Sequence, residues 1–251
     1  MFLKFIKPIF DMTITLVLWA YYFLSFFLFA PFYLYSFCFS RDHERIFQKL
    51  NCIFYRNFFA LVRTIIPNLK ICTADEVLAI QSSVIIANHL SFLDPILLIS
   101  MFERQKTIVK KSYFGLPVFG FVLKRSGYIA PTSNLFADDM MCQIENLQKH
   151  LALGGNLFVF PEGTRSRDGS IGQFEKGAFR IAKLCRVPIK IVQIRNTNRL
   201  YPPDSFLFNT CVPNRIEVKL AGTIEPDYEN KSVSISALMV KARFLLEKMN
   251  K

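Results

Sequence analysis

The stretch Ser83-Val84-Ile85-Ile86-Ala87-Asn88-His89-Leu90-Ser91-Phe92-Leu93-Asp94-Pro95 decides the fold. Its first five residues are an apolar run with no polar alternation. That pattern predicts a strand buried on both faces, as in a parallel sheet. Asp94-Pro95 then reads as a helix start, with Asp at the N-cap and Pro at the first helical position. Between them lies a short polar turn. Working outward, the same alternation recurs. Ile108 and Val109 predict a second strand ending at Lys110 and Lys111. Ala137–Leu153 predicts a helix stopped by Gly154-Gly155, and Asn156–Phe160 a strand. Gly177–Cys185 predicts a helix, Ile189–Ile194 and Ile216–Leu220 two strands, and Val233–Met249 a basic C-terminal helix. Alternating strands and helices predict an α/β fold: a mostly parallel sheet flanked by helices. In such sheets, sites lie at the carboxyl ends of strands.

Upstream the character changes. No charged residue occurs from Met12 to Ser40. As one straight helix this run would be about 43 Å long, against a hydrocarbon core of roughly 30 Å. Pro31 is expected to kink or end it. A signal peptide fits poorly, because the run is too long and no small-residue cleavage site follows. Lys4 and Lys7 precede it; Arg41, Arg45 and Lys49 follow it. Basic flanks on both sides favour a monotopic anchor that enters and leaves one leaflet, with a single tilted pass as the other reading. Both leave the following domain, and its site, facing the cytoplasm. Glu44–Ile66 reads as a helix whose Arg45, Lys49, Arg56 and Arg63 share one stripe, opposite Phe54, Phe58, Val62 and their neighbours. Such a basic amphipathic helix suits a membrane interface; the alternative is a surface helix packed on the domain core. Pro67 and Asn68 break the pattern. Residues 1–67 are thus read as an N-terminal membrane-anchoring helical segment and 68–251 as the catalytic domain.

The net charge of +12 favours a negative partner surface, and 52% hydrophobic residues with 27 Phe make that surface lipid. Nucleic acid is excluded, because the aromatics cluster in the apolar segment instead of interleaving with the later basic residues. The six cysteines form no CxxC pair and read as reduced thiols. His43, His89 and His150 show no metal-ligand spacing, so no metal site is expected.

Two motifs carry chemistry. In Asn88–Asp94, a His five residues before an Asp can donate its ring N–H to that carboxylate. The other nitrogen is then free as a base. The bland reading is that Asp94 only caps its helix. In Phe160-Pro161-Glu162-Gly163-Thr164-Arg165-Ser166, Gly163 permits close backbone approach to a ligand. Arg165 offers a planar fork that matches a phosphate. Taken alone, that stretch is equally a solvated turn.

Together, NHLSFLD (88–94), FPEGTRS (160–166) and FEKGAFRIA (174–182) closely resemble the glycerolipid acyltransferase family that includes lysophosphatidic acid acyltransferases. The resemblance runs from about Val84 to Val192. It implies that His89 takes a proton from an acceptor hydroxyl while Asp94 orients His89. The acceptor then attacks the thioester of acyl-CoA or acyl carrier protein, which serve as co-substrates; no cofactor or metal is implied. Lys110, Lys111, Glu162, Gly163, Thr164 and Arg165 become expected substrate-binding residues. The implied partners are membrane lipid, a lysolipid acceptor and the acyl donor. The family's second motif ends in Asp-Arg, where this chain has Thr132 and Ser133. A lost Arg–phosphate contact is worth about 1.5–3 kcal/mol. Either Lys110, Lys111 or Arg125 compensates, or the acceptor is a lyso-aminolipid without a phosphate there. A hydrolase using water, and a non-catalytic lipid-binding membrane module, are the remaining alternatives. Ser91 has no His/Asp set of its own and reads as a hydrogen-bonding residue, not a nucleophile.

Overall fold

The computed structural model describes residues 2–131, 138–229 and 233–249. Its elements are α1 (Phe2–Phe39), α2 (His43–Ile65), β1 (Leu69–Thr73), α3 (Asp75–Leu78), β2 (Val84–Ala87), α4 (Leu93–Met101) and β3 (Gln105–Thr107). A 3₁₀ turn over Lys111–Gly115 leads to α5 (Pro117–Arg125). Then come α6 (Asp138–Ala152), β4 (Asn156–Val159), α7 (Gly177–Cys185), β5 (Ile189–Arg195), α8 (Thr197–Leu200), β6 (Asn214–Ile224) and α9 (Ile235–Met249).

The six strands form one sheet in the order β1-β6-β5-β2-β4-β3. Only β5 and β6 run antiparallel. The α/β reading with a mostly parallel sheet is therefore what the molecule shows. β2 sits centrally, between β5 and β4, and its residues alternate between two cores. Ile85 and Ala87 join α1, α2 and α4 on one face. Val84 and Ile86 join α6, α7 and α9 on the other. That explains why the run is apolar throughout: each face of the strand meets a helical layer.

The second strand lies earlier than its apolar residues predict. β3 is Gln105–Thr107, pairing with Asn156–Phe158, while Ile108 forms only an isolated bridge to Ile129. The polar residues of β3 are buried because they sit under α2: Gln105 Nε2 donates to the Gln48 carbonyl, and Lys106 pairs with Glu44.

α1 continues through Pro31 to Phe39. The missing N–H costs a helix bond, but α2 holds both sides of the break. Phe29 meets Phe54 edge-on at 5.3 Å, and the Tyr33 hydroxyl donates to Asn51 at 2.7 Å. The apolar face of α2 is also covered by protein. Phe54, Phe58 and Val62 are buried in the core shared with α1 and α4, while Arg45, Lys49, Arg56 and Arg63 stay exposed. α2 is thus the surface helix packed on the core, and α1 carries the outward apolar face. Ile9, Phe23, Leu24, Phe27, Leu28 and Phe32 are all exposed. From Ile6 to Phe39, α1 is long and apolar enough to cross a membrane.

Candidate active site

The site is built where β2 ends. Asn88 is buried and clamps the turn to the end of β5: its amide donates to the Ile194 carbonyl, and the Ile194 N–H returns the bond, both at 2.8 Å. With Asn88 fixed, His89 leaves the sheet in a set direction. Its ring stacks on Phe160 at 4.3 Å between centroids. Nδ1 lies 2.9 Å from Asp94 Oδ2, and the side chain keeps 17% of its surface open.

Asp94 is fully buried, and every neighbour of its carboxylate donates. Oδ2 accepts from His89 Nδ1, from the Leu90 N–H (2.5 Å) and from the Ser91 N–H (2.7 Å). Oδ1 accepts from the Thr197 hydroxyl at 2.5 Å. The capping reading needs correction. α4 begins at Leu93 with Phe92 at its N-cap, so Asp94 lies inside the first turn. Its Oδ2 reaches back to the turn that holds His89, and its Oδ1 is taken by Thr197 on α8. Proton occupancy follows from the contact: Nδ1 must carry the hydrogen that meets Asp94. Nε2 is then the lone-pair nitrogen, and it has no partner among the described residues. Ser91 is buried and donates its hydroxyl to the Tyr201 carbonyl at 2.7 Å, which occupies it as a structural donor.

The 160–166 loop clasps His89 from both ends. The His89 N–H donates to Glu162 Oε1 at 3.1 Å, and Glu162 Oε2 accepts from the Gly172 N–H at 2.8 Å. The His89 carbonyl accepts from the Ser166 N–H at 2.8 Å. Gly163 has φ +67°, a left-handed conformation that a Cβ would strain. Beyond the loop, the Ser170 hydroxyl and amide and the Ser166 hydroxyl hold the Asp168 carboxyl down to about 2. Gly163, Thr164 and Arg165 are exposed. Arg165 lies 4.0 Å from Asp204, which also meets Arg167 at 3.1 Å.

The structure thus gathers His89, Asp94, Glu162 and the 163–166 segment in one place. Lys110 and Lys111 follow β3, two strands from β2 in the sheet, and form no ion pair with a described residue. Thr132 and Ser133 lie outside the described residues. No group of three His, Cys, Asp or Glu side chains that could hold a metal occurs among the described residues. Sequence reading missed Thr197 and Phe160 as neighbours of the pair. Nor did it show that the Glu162 oxygens accept from two backbone N–H groups, one of His89 and one of Gly172. Asn88 carried a visible signal, a polar residue directly after a buried strand.

A family model described as Acyltransferase matches residues 69–195, the span from β1 to the end of β5. A chloroplastic 1-acyl-sn-glycerol-3-phosphate acyltransferase of Brassica napus is 37% identical over 125 residues, covering 49% of this chain and 35% of that protein. A 1-acyl-sn-glycerol-3-phosphate acyltransferase of Saccharomyces cerevisiae is 35% identical over 149 residues, covering 57% of this chain and 48% of its own. The matched span is therefore about a third to a half the length of these relatives. The crystal structure of the 1-acyl-sn-glycerophosphate acyltransferase PlsC from Thermotoga maritima superposes with a TM-score of 0.67, at 21% identity, over 94% of this chain and 95% of that one. The fold is shared over nearly the whole length, and the matched family span contains His89, Asp94 and the 160–166 loop, so the chain belongs to the Acyltransferase family.

Proposed function

We propose that the chain is an O-acyltransferase that moves a fatty acyl group from acyl-CoA or acyl carrier protein to the hydroxyl of a lysolipid, 1-acylglycerol-3-phosphate, giving phosphatidic acid. The observation that carries this is the partly exposed His89 ring, its Nε2 without a partner among the described residues and its Nδ1 on a fully buried Asp94. Nε2 takes the proton of the acceptor hydroxyl as the oxygen attacks the thioester carbonyl. The new O–acyl bond forms, the C–S bond breaks, and the imidazolium returns the proton to the thiolate. Asp94 stabilises the transient positive ring and keeps it oriented. General-base catalysis of this kind contributes about 10²–10⁴-fold, and alignment of the two substrates supplies much of the rest.

Arg165 offers the acceptor phosphate its guanidinium, with Gly163 and Thr164 as exposed backbone beside it. Lys110 and Lys111 extend positive charge along the same end of the sheet. Glu162 supports this indirectly, by holding the His89 turn.

The protein-facing stripe of α1 supports a one-leaflet anchor. Asp11, Ile14, Leu18, Tyr33 and Ser36 are buried. They run along one side for about 38 Å at 1.5 Å per residue. A helix packed on its own domain over that length lies along the membrane surface, with the opposite apolar face in lipid. Basic residues on both flanks support a cytoplasmic side for the domain.

The test is purified chain with one acyl-CoA and a panel of lysolipids, read by mass spectrometry. Phosphatidic acid formed from lysophosphatidic acid, and lost in His89→Ala, is the expected result. Thioester cleavage that ignores every lysolipid would instead favour hydrolysis. Transfer only to acceptors without a phosphate would move the assignment to a lyso-aminolipid.

A further inference from the structure

The segment after β3 presents apolar side chains outward. Tyr113, Leu116, Val118 and Phe121 are 41, 47, 51 and 39% exposed. A water-facing helix of this size would place polar residues there. The patch is also joined to α1. Phe121 meets Phe37 edge-on at 5.5 Å, and the Arg125 guanidinium lies 4.6 Å from the Phe37 ring centre. Next to Phe37, Tyr35 and Phe39 are exposed and meet each other at 5.2 Å between ring centres, tilted by 37°. The joint is rigid. The Gln48 amide donates to the Ser126 carbonyl at 2.9 Å, and the Asn51 amide to the Ser126 hydroxyl at 2.8 Å. Asn51 in turn accepts from Tyr33 on α1. Lys124 and Arg125 close α5 and are exposed, at the edge of the apolar patch.

We propose that the 3₁₀ turn and α5 form a second membrane contact, continuous with the lipid-facing side of α1, which inserts Leu116, Val118 and Phe121 into an anionic bilayer and sets Lys124 and Arg125 at headgroup level. This rests on the one-leaflet reading of α1 above. Apolar side chains ringed by Lys and Arg fit the interface of an anionic membrane. Strand order gives the contact a purpose. On the β5 side of β2, the loop after α8 touches α1 through Phe206, stacked on Trp19 at 6.4 Å. On the β3 side, the chain runs into α5. His89 stands between these two supports. Two attachments turn its open face to the bilayer, so that a lysolipid reaches it without leaving the membrane.

The test places single tryptophans in the full chain, in a Trp19→Phe background. Leu24→Trp reports α1, Val118→Trp reports α5, and Val240→Trp on exposed α9 is the control. Vesicles contain phosphatidylglycerol and phosphatidylcholine with brominated acyl chains. Leu24→Trp and Val118→Trp are expected to shift to the blue and be quenched about twofold or more, with Val240→Trp unaffected. Quenching at position 24 but not at 118 overturns the second contact and leaves the anchor standing. No quenching at position 24 overturns the anchor reading itself. Equal quenching at 118 and 240 also overturns the proposal, because the insertion would then be unspecific. As a functional arm, Leu116→Asp with Val118→Asp should lower acylation of a bilayer-resident long-chain lysolipid about tenfold, with a water-soluble short-chain acceptor unaffected. Equal rates with both acceptors relative to the parent chain would overturn it.

Discussion

His89 and His150 sit at opposite ends of the central strands, and they differ in everything but the ring. His89 follows the carboxyl end of β2; it has a carboxylate behind Nδ1, a partly exposed side chain, and no partner for Nε2 among the described residues. His150 lies on α6, near the start of β4. It is 6% exposed, and its Nε2 lies 3.2 Å from the Asn156 backbone carbonyl. Burial, then the nearby charge of Lys106, push the His150 pKa down to about 4; Arg104 adds to this. His150 is therefore neutral and serves as a structural donor. A histidine becomes a candidate base when an acceptor fixes one nitrogen and the other remains reachable. His150 has the first without the second, and its neighbours are cations.

The sharpest way to break this comparison is to remove each ring. His89→Ala is expected to lower the proposed acyl transfer by about 10²–10⁴-fold, with little change in melting temperature. Acyl-transfer rates beside a thermal melt would check both halves. A large drop in stability would place His89 with His150 as a structural residue. Asp94→Asn comes next. The Thr197 hydroxyl can rotate to accept from the new amide, so the fold should survive. The charge behind His89 is lost, and the rate should fall about 10²-fold. The acyl-transfer assay measures that directly.

His150 predicts a pH effect instead. Its folded pKa lies below the unfolded value near 6.5. Between those values the unfolded state binds more protons, so stability rises with pH across the window and is lost as pH falls from about 6.5 to 4. The full shift corresponds to at most about 3 kcal/mol. Urea unfolding of wild type and His150→Gln at pH 7, 5.5 and 4 should show the slope reduced in the variant, with activity at pH 7 retained. An unchanged slope would remove His150 as its source. The smallest effect is expected for Thr197→Val, which strands one oxygen of Asp94 at a cost of about 1–2 kcal/mol. Its kcat should fall several-fold with KM steady, and Thr197→Ser should restore it. If Thr197→Val leaves kcat unchanged, the hydroxyl only fills space.

How legible the site was depended on sequence distance. The His89–Asp94 contact spans five residues, so a local turn could be read directly from the chain. The Thr197–Asp94 bond spans 103 residues, and the Asn88–Ile194 clamp 106. No spacing rule reaches that far; the sheet order β5-β2-β4 makes those contacts. Glu162 was visible as part of a polar loop, but its grip on the His89 backbone required β2 and β4 side by side. β1 passed unread because Leu69–Thr73 alternates weakly, and its place is set by register with β6.

By itself, the sequence determined the elements whose causes are local: the doubly buried β2, the His–Asp turn after it, the strand–helix alternation and the long apolar N-terminal run. Tertiary structure alone decided what each apolar face meets. The hydrophobic term is the same whether protein or lipid removes a face from water, so α2 and α1 looked alike on paper. Packing covered Phe54, Phe58 and Val62 of α2 with protein and left Phe23, Leu24 and Phe27 of α1 outside. It also completed the surroundings of His89: the Leu90 and Ser91 N–H groups reach Asp94 within the local turn, but the Thr197 hydroxyl meets its other oxygen only because β5 lies beside β2.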